Sequence, residues 1–161
     1  MTARDASPGP GRVLPLGFMS CFRLLEEAVP AGETVESSDH LHLHPLPRLV
    51  QTARRFVADR LPAVSEDTRD VLMLLTSELV TNAVIHARTP LEVGITITDR
   101  SLLVSVHDLD LGHSALDPTR EGGWGLGLVT ALSDASSMTR HPDDGKTAWF
   151  RVTRDERKGA V

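Results

Sequence analysis

The chain has a single cysteine, Cys21, and no tyrosine, and its four Phe and two Trp bring aromatics to only 4% of 161 residues. A lone cysteine cannot close an internal disulfide, so nothing in the fold calls for an oxidising compartment. With so few rings, the core has to come from Leu, Val, Ile and Ala within the 40% of hydrophobic residues. Basic charge is short as well. The 17 Lys and Arg face 22 Asp and Glu, a formal net charge of -5, which lacks the basic footprint of a general nucleic-acid binder. No apolar run approaches the ~20 residues of a membrane-spanning helix. Arg4 and Asp5 are not followed by the apolar stretch of a signal peptide. The expectation is one soluble, cytoplasmic domain with a tail, having neither nucleic acid nor a membrane as a direct partner.

What is present falls into three parts. Residues 1–39 read as a poorly ordered extension, rich in Pro, Gly and Ser up to Gly17 and small and acidic from Ala31 to Asp39. Within it, Phe18 to Val29 has the spacing of a short amphipathic helix, with Phe22, Leu25 and Val29 on one side. That segment either docks on the domain or a partner or has no structure, and the second reading is preferred. Residues 154–161 form a charged tail. Between the two, residues 40–153 carry the periodic pattern.

His40-Leu41-His42-Leu43-His44 alternates as a short strand does. Three histidines on one strand face suit a metal, but no fourth ligand of Cys or acidic type stands at suitable spacing, so a polar strand face is the preferred reading. Pro45 to Leu61 predicts a helix with Leu46, Leu49, Val50, Ala53 and Val57 as its stripe and Pro47 in its first turn. Ser65 is placed to cap a second helix, with Glu66 and Asp67 favoured in its first turn. That helix runs to about His86 and stops at Thr89-Pro90. Leu91 to Thr98 and Leu102 to His107 alternate as a hairpin, and Asp108 stands at its end. Leu109 to Gly123 is a loop, longer than most connections. A helix from about Trp124 to Ser133 and two strands, Ala135 to His141 and Lys146 to Val152, complete the domain. Grouped helices and antiparallel strands predict an α+β two-layer sandwich, its sheet mixed but mainly antiparallel and its helices on one face.

Two stretches carry chemistry. On the second helix, Leu72, Leu75, Leu79 and Ala83 make the core face, while Glu78 and Asn82, one turn apart, stack about 6 Å along the axis. A carboxylate there can accept a proton from an attacking hydroxyl. A carboxamide oxygen is a hard ligand suited to magnesium. Taken alone, E-x-x-x-N is better read as a solvated stripe. The second stretch, Gly122 to Leu128, is a Gly-rich turn entering a helix, where bare N–H groups and the helix start favour an anion such as phosphate. Two look-alikes fail. Gly145-Lys146-Thr147 would need a P-loop glycine at Arg140 and leads into a strand. The glycines at 122–127 lack the G-x-G-x-x-G spacing of a dinucleotide fold.

In order, the chain presents Glu78-x-x-x-Asn82 on a helix, Asp108 at a strand end with Gly112 four residues on, a loop, the Gly123/Gly125/Gly127 helix start, and Gly145-Lys146-Thr147 entering the last strand. Over roughly residues 41–153 this order resembles the GHKL, or Bergerat-fold, nucleotide-binding superfamily of histidine kinases, gyrase, Hsp90 and MutL. Ser77 to Ala83 with His86-Ala87 looks most like the single-domain anti-sigma-factor serine/threonine kinases of actinobacteria. The resemblance implies ATP and Mg as ligands. It makes Glu78 the general base, Asn82 the Mg ligand and Asp108 the acceptor for the adenine amino group. Gly112, Gly123, Gly125 and Gly127 would allow close backbone approach, and Thr147 would support the adenine. Arg120 is a candidate lid cation. Asp110 departs from the family's D-x-G-x-G pattern and adds negative charge near a polyphosphate.

The implied function is a regulatory kinase that phosphorylates a STAS-type antagonist and sequesters a sigma factor. The alternative from another class is a non-catalytic interaction module, ATP-gated or nucleotide-free. A sensor histidine kinase is disfavoured by the missing span, dimerisation helices and sensor. The oligomeric state is left open, a homodimer included.

Overall fold

The computed structural model describes residues 27–110 and 123–155. In chain order it contains β1 (Val35–Leu43), α1 (Leu49–Ala58), α2 (Glu66–Ala87), β2 (Leu91–Thr98), β3 (Ser101–Asp108), α3 (Gly123–Leu132), β4 (Ala135–Arg140) and β5 (Lys146–Thr153). The five strands form one sheet in the order β1-β2-β3-β5-β4. Every pairing among these strands is antiparallel, so the mixed sheet expected from the sequence is not found here. The class is α+β, as expected.

The long helix α2 forms as the sequence demands. Ser65 is extended, and its hydroxyl accepts from the Thr68 N–H at 3.1 Å. Glu66 and Asp67 lie in the first turn, where the helix dipole favours them. At the other end Arg88 takes a left-handed conformation, φ 49°, the usual way to break a helix, and Thr89-Pro90 follows. Leu72, Leu75, Leu79 and Ala83 are all buried. They pack with Val93, Ile95, Val104, Val106 and Phe150 from the sheet and Ala53, Phe56 and Val57 from α1. An apolar stripe at helical spacing therefore meets an apolar row at strand spacing, the condition for a two-layer core.

Helix α1 is shorter than predicted. It starts at Leu49, with Arg48 offering no side-chain cap, so Pro47 precedes the helix instead of filling its first turn. Leu46, assigned to its buried stripe, is 67% exposed.

The sheet also begins earlier than expected. β1 starts at Val35, inside the stretch assigned to a poorly ordered extension. Residues just before it are tied down too. The Glu33 carboxylate accepts from the Thr98 and Ser101 hydroxyls, and the Thr34 N–H donates to Asp99. Arg151 donates to the Ala28 carbonyl at 2.8 Å, and Ala28 is buried with Leu103 and Trp149. Those two side chains lie on the sheet face away from the helices, so part of the extension covers the second face. β2 and β3 are accordingly buried along their whole length on both faces, where a polar-out alternation would leave one face wet. At the other end of the domain, Arg154 pairs with Glu36 at 2.7 Å and Asp155 accepts from the Ser65 N–H at 3.3 Å, while residues 156–161 of the predicted tail lie outside the described residues.

The β4–β5 turn brings the chain hard against β3. Gly145 has φ +74°, and a Cβ there would fall on the Asp108 carbonyl. Both the backbone sign and the space require glycine. Gly145→Ala should therefore cost about 2–4 kcal/mol of stability, the sum of a left-handed alanine and a forced displacement. A denaturant midpoint lowered at unchanged slope is the expected result, and an unchanged midpoint would contradict this packing.

Candidate functional site

Register decides which side chains meet. Asp108 closes β3 directly opposite Lys146, the first residue of β5. Asp108 lies in the row of Leu102, Val104 and Val106, and Lys146 in that of Ala148, Phe150 and Val152, the rows facing the helices. The Lys146 ammonium stands 3.6 Å from Asp108 Oδ2 and 3.6 Å from Asp110 Oδ2. The Asp110 N–H donates to Asp108 Oδ1 at 2.9 Å. Asp108 is 2% exposed and Lys146 6%. Burial raises the Asp108 carboxyl above its ordinary value; the Asp110 N–H and the Lys146 charge pull it back, and the Asp110 carboxylate pushes it up again.

On the helix side of the sheet α2 packs against β3 and β5, and α3 packs against α2 and β4. Glu78 and Asn82 are half-buried on α2, neither in the core nor fully in water. The predicted glycine turn is itself helical. Gly123 is the first residue of α3, and Gly125 and Gly127 lie within it. The first four N–H groups of a helix have no partner inside it, and this holds for those at the start of α3. Gly127 is exposed, and a Cβ there would meet nothing within 4 Å. Gly112 and Arg120 lie outside the described residues, as does most of the loop that carries them.

Thr147 is not brought to Asp108. It follows Lys146 on β5, so its side chain projects from the opposite face. There Thr147 Oγ1 is 2.9 Å from His107 Nδ1 and 3.0 Å from His141 Nε2. One hydroxyl carries one proton, so at least one of these rings donates to it. The same face continues sideways to Glu92, whose two oxygens are 3.3 Å from His40 Nδ1 and 3.3 Å from His42 Nε2. Among the described residues no group of three or more His, Cys, Asp or Glu is arranged to hold a metal ion.

Sequence reading missed Lys146 and the His107–Thr147–His141 group. The signal was available: Thr147 shares its alternation with Trp149 and Arg151, whereas Lys146 shares that of Ala148 and Phe150. A separate cavity of about 200 Å³ lies between α2, α3 and the β4–β5 edge, lined by Leu79, Val129, Met138 and Ala148 among others. Its lining includes none of Glu78, Asn82 and Asp108, so it belongs to the apolar layer and not to the polar site.

The sheet order, the helix pair above it and the buried strand-end carboxylate define a class, the histidine kinase-like ATPase domain. The model of that family matches residues 43–152, and the chain belongs to it. A similar solved structure is that of the RsbU and RsbW domains of Rv1364c from Mycobacterium tuberculosis, with 21% identity and a TM-score of 0.57. The match covers 75% of this chain and 34% of that one, so this chain spans about a third of that protein and the likeness bears on the fold. No curated protein matches the chain. No described helix is long and apolar enough to cross a membrane.

His107 makes stability pH-dependent. Burial lowers its pKa from the ordinary 6.5, only partly offset by Asp144 and Glu92. Its Nε2 is buried without a hydrogen-bond partner, since Asp144 at 3.6 Å is close enough to attract but not to bond. The unfolded ring therefore takes a proton more readily than the folded one. The stability held above pH 6.5 should fall as pH drops from about 6.5 through the lower folded value. Denaturant midpoints at pH 7.5 and 5.5 should differ less in His107→Gln than in wild type; an equal difference would show that another group titrates.

Proposed function

We propose that the chain binds Mg-ATP between α2, α3 and the Asp108 end of the sheet and acts as a regulatory protein serine/threonine kinase. The observation that carries this reading is the stacking of half-buried Glu78 and Asn82 on α2, a helix that packs on α3, the helix opened by Gly123 and Gly125. Asp108, buried at the strand end beneath, supplies an acceptor for an amino group of the base. Gly127 adds support. A glycine inside a helix costs roughly 1 kcal/mol relative to alanine, and no described neighbour requires it. A ligand drawn close to the backbone would.

The donor set fits the ligand. Asn82 would hold Mg through its carboxamide oxygen, and the free N–H groups of α3 would face the phosphates. Bound Mg-ATP would supply the phosphoryl group and the cation that spreads its charge. Glu78 would take the proton of the incoming seryl hydroxyl as its oxygen bonds to the γ-phosphorus and ADP departs. Phosphoryl transfer through a loose transition state depends mainly on positioning, and the base adds ~10²–10⁴-fold. By the family's resemblance, the acceptor is a serine on a STAS-type antagonist, the second partner is a sigma factor, and the site of action is the cytoplasm.

One observation favours the non-catalytic reading. Asp108 is already engaged by Lys146 and by the Asp110 N–H, so a base has to compete for it. Isothermal titration with Mg-ATP separates the two. Heat from wild type that is lost in Asp108→Ala supports the nucleotide site; no heat from either leaves a nucleotide-free interaction module.

For catalysis the expected outcome is that Glu78→Gln retains nucleotide binding and loses phosphorylation of the partner by ~10²-fold or more. Labelled ATP incubated with a native-host pull-down reads this directly, and undiminished transfer would remove Glu78 from the mechanism.

A further inference from the structure

Three charged groups meet at the base end of the site. Asp108 is held on the helix side of β3, Asp110 follows two residues on, and Lys146 opens β5 between them. The Lys146 side chain is 7% exposed, so its ammonium sits away from bulk water, where a lysine is rarely found unpaired. Removing it would leave two carboxylates near one another in a poorly hydrated place, and such a pair holds a proton between its members. A protonated Asp108 would no longer be an acceptor-only group, and its bond from an amino group of a base would lose the charge that strengthens it.

We propose that Lys146 is a positioning residue of the nucleotide site: held between Asp108 and Asp110, it keeps Asp108 an ionised acceptor and is the β5 residue that governs binding of the base. This rests on the nucleotide reading above for its functional consequence. The assignment displaces Thr147, which is committed to His107 and His141 on the other face. It also gives Asp110 a role. The carboxylate that departs from the family pattern is the second anchor of Lys146, so the two residues act as a matched pair, and the site carries one net negative charge instead of two.

The charges acting on Asp108 among the described residues are Lys146 from β5, Asp110 from the segment after β3 and, from the far face of the sheet, His107. Of these Lys146 is the cation in direct reach of the carboxylate. Burial and Asp110 both press Asp108 toward its neutral form, and Lys146 and the Asp110 N–H oppose them. Without the lysine, one of the two groups that hold Asp108 down is lost, and its midpoint moves up. Each unit of that movement changes the ionised fraction tenfold at a pH well below the midpoint.

Two measurements on the full chain test this. The first needs no nucleotide: the Asp108 carboxyl carbon is followed by NMR as pH is varied in wild type, Lys146→Met and Lys146→Arg. The midpoint should rise in Lys146→Met by about one unit or more and stay near wild type in Lys146→Arg, which keeps the charge. An unmoved midpoint in folded Lys146→Met overturns the proposal. The second is Mg-ATP titration between pH 8 and pH 6. Lys146→Met should lose ~10-fold or more in affinity beyond any loss in wild type, and Asp110→Asn added to it should recover part of that loss. Equal pH profiles for wild type and Lys146→Met overturn the proposal while leaving the nucleotide site intact. Absence of binding by wild type at every pH overturns the nucleotide reading instead, and the carboxyl midpoint then still decides what Lys146 does. If Lys146→Met does not fold, Lys146→Gln is measured in its place under the same criteria.

Discussion

The structure depends on the pairing of β3 with β5. It joins residues 38 to 52 positions apart and places the last residue of one strand against the first of the other, Asp108 against Lys146. Because successive side chains in a strand point to opposite faces, that single register sorts every polar group at this end of the molecule. Asp108 and Lys146 go to the helix side, His107 and Thr147 to the other. Gly145 seals the arrangement, since only a residue without a Cβ lets the turn lie on the Asp108 carbonyl.

The consequence is a sheet whose two faces do different work at the same two ladder positions. The helix side has a carboxylate and a lysine, on the face against which α2 packs. The opposite side has imidazoles, a threonine and Glu92, covered in part by the segment around Ala28. Central strands buried on both faces need their polar groups satisfied: Thr96 bonds across to Ser38 of β1, and Thr98 and Ser101 bond to Glu33. His107 Nε2 is an exception, and an unsatisfied buried nitrogen is a place where stability is sensitive to pH.

Much of the fold was legible because its signals were strong and local. The α2 cap, its buried stripe, the β2–β3 hairpin and the turn before β5 each rest on a periodicity or a residue type with a mechanical reason. The ends of α1 were less so, because Leu46 and Pro47 fit a helical pattern that the chain does not need once Leu49, Ala53, Phe56 and Val57 fill the contact. The start of β1 was hidden for a different reason. Val35 to Asp39 is polar and mostly exposed, so its pairing with β2 comes from backbone hydrogen bonds and leaves no hydrophobic pattern to read. The docking of Ala28 is likewise a tertiary event, made by Arg151 from the far end of the chain.

On α2, helical spacing alone sets Glu78 and Asn82 one turn apart, so their stacking could be read from the sequence. The strand residues required parity as well as proximity. A motif that names Gly145-Lys146-Thr147 as a unit does not say which side chain turns toward the helices, and a slip of one residue exchanges a hydroxyl for an ammonium. The exchange changes the chemistry of the site. A threonine would leave Asp108 as a lone buried carboxylate with a neutral neighbour, whereas lysine makes it one member of a charged set that also accommodates Asp110. Asp110, which in isolation looks like an added repulsion toward a polyphosphate, has a cation 3.6 Å away. At that distance opposite charges attract by about 4–5 kcal/mol for an effective dielectric near 20, before desolvation is subtracted. The departure from the family pattern at position 110 and the lysine at position 146 are therefore one feature of this site, and neither is intelligible without the strand register that brings them together.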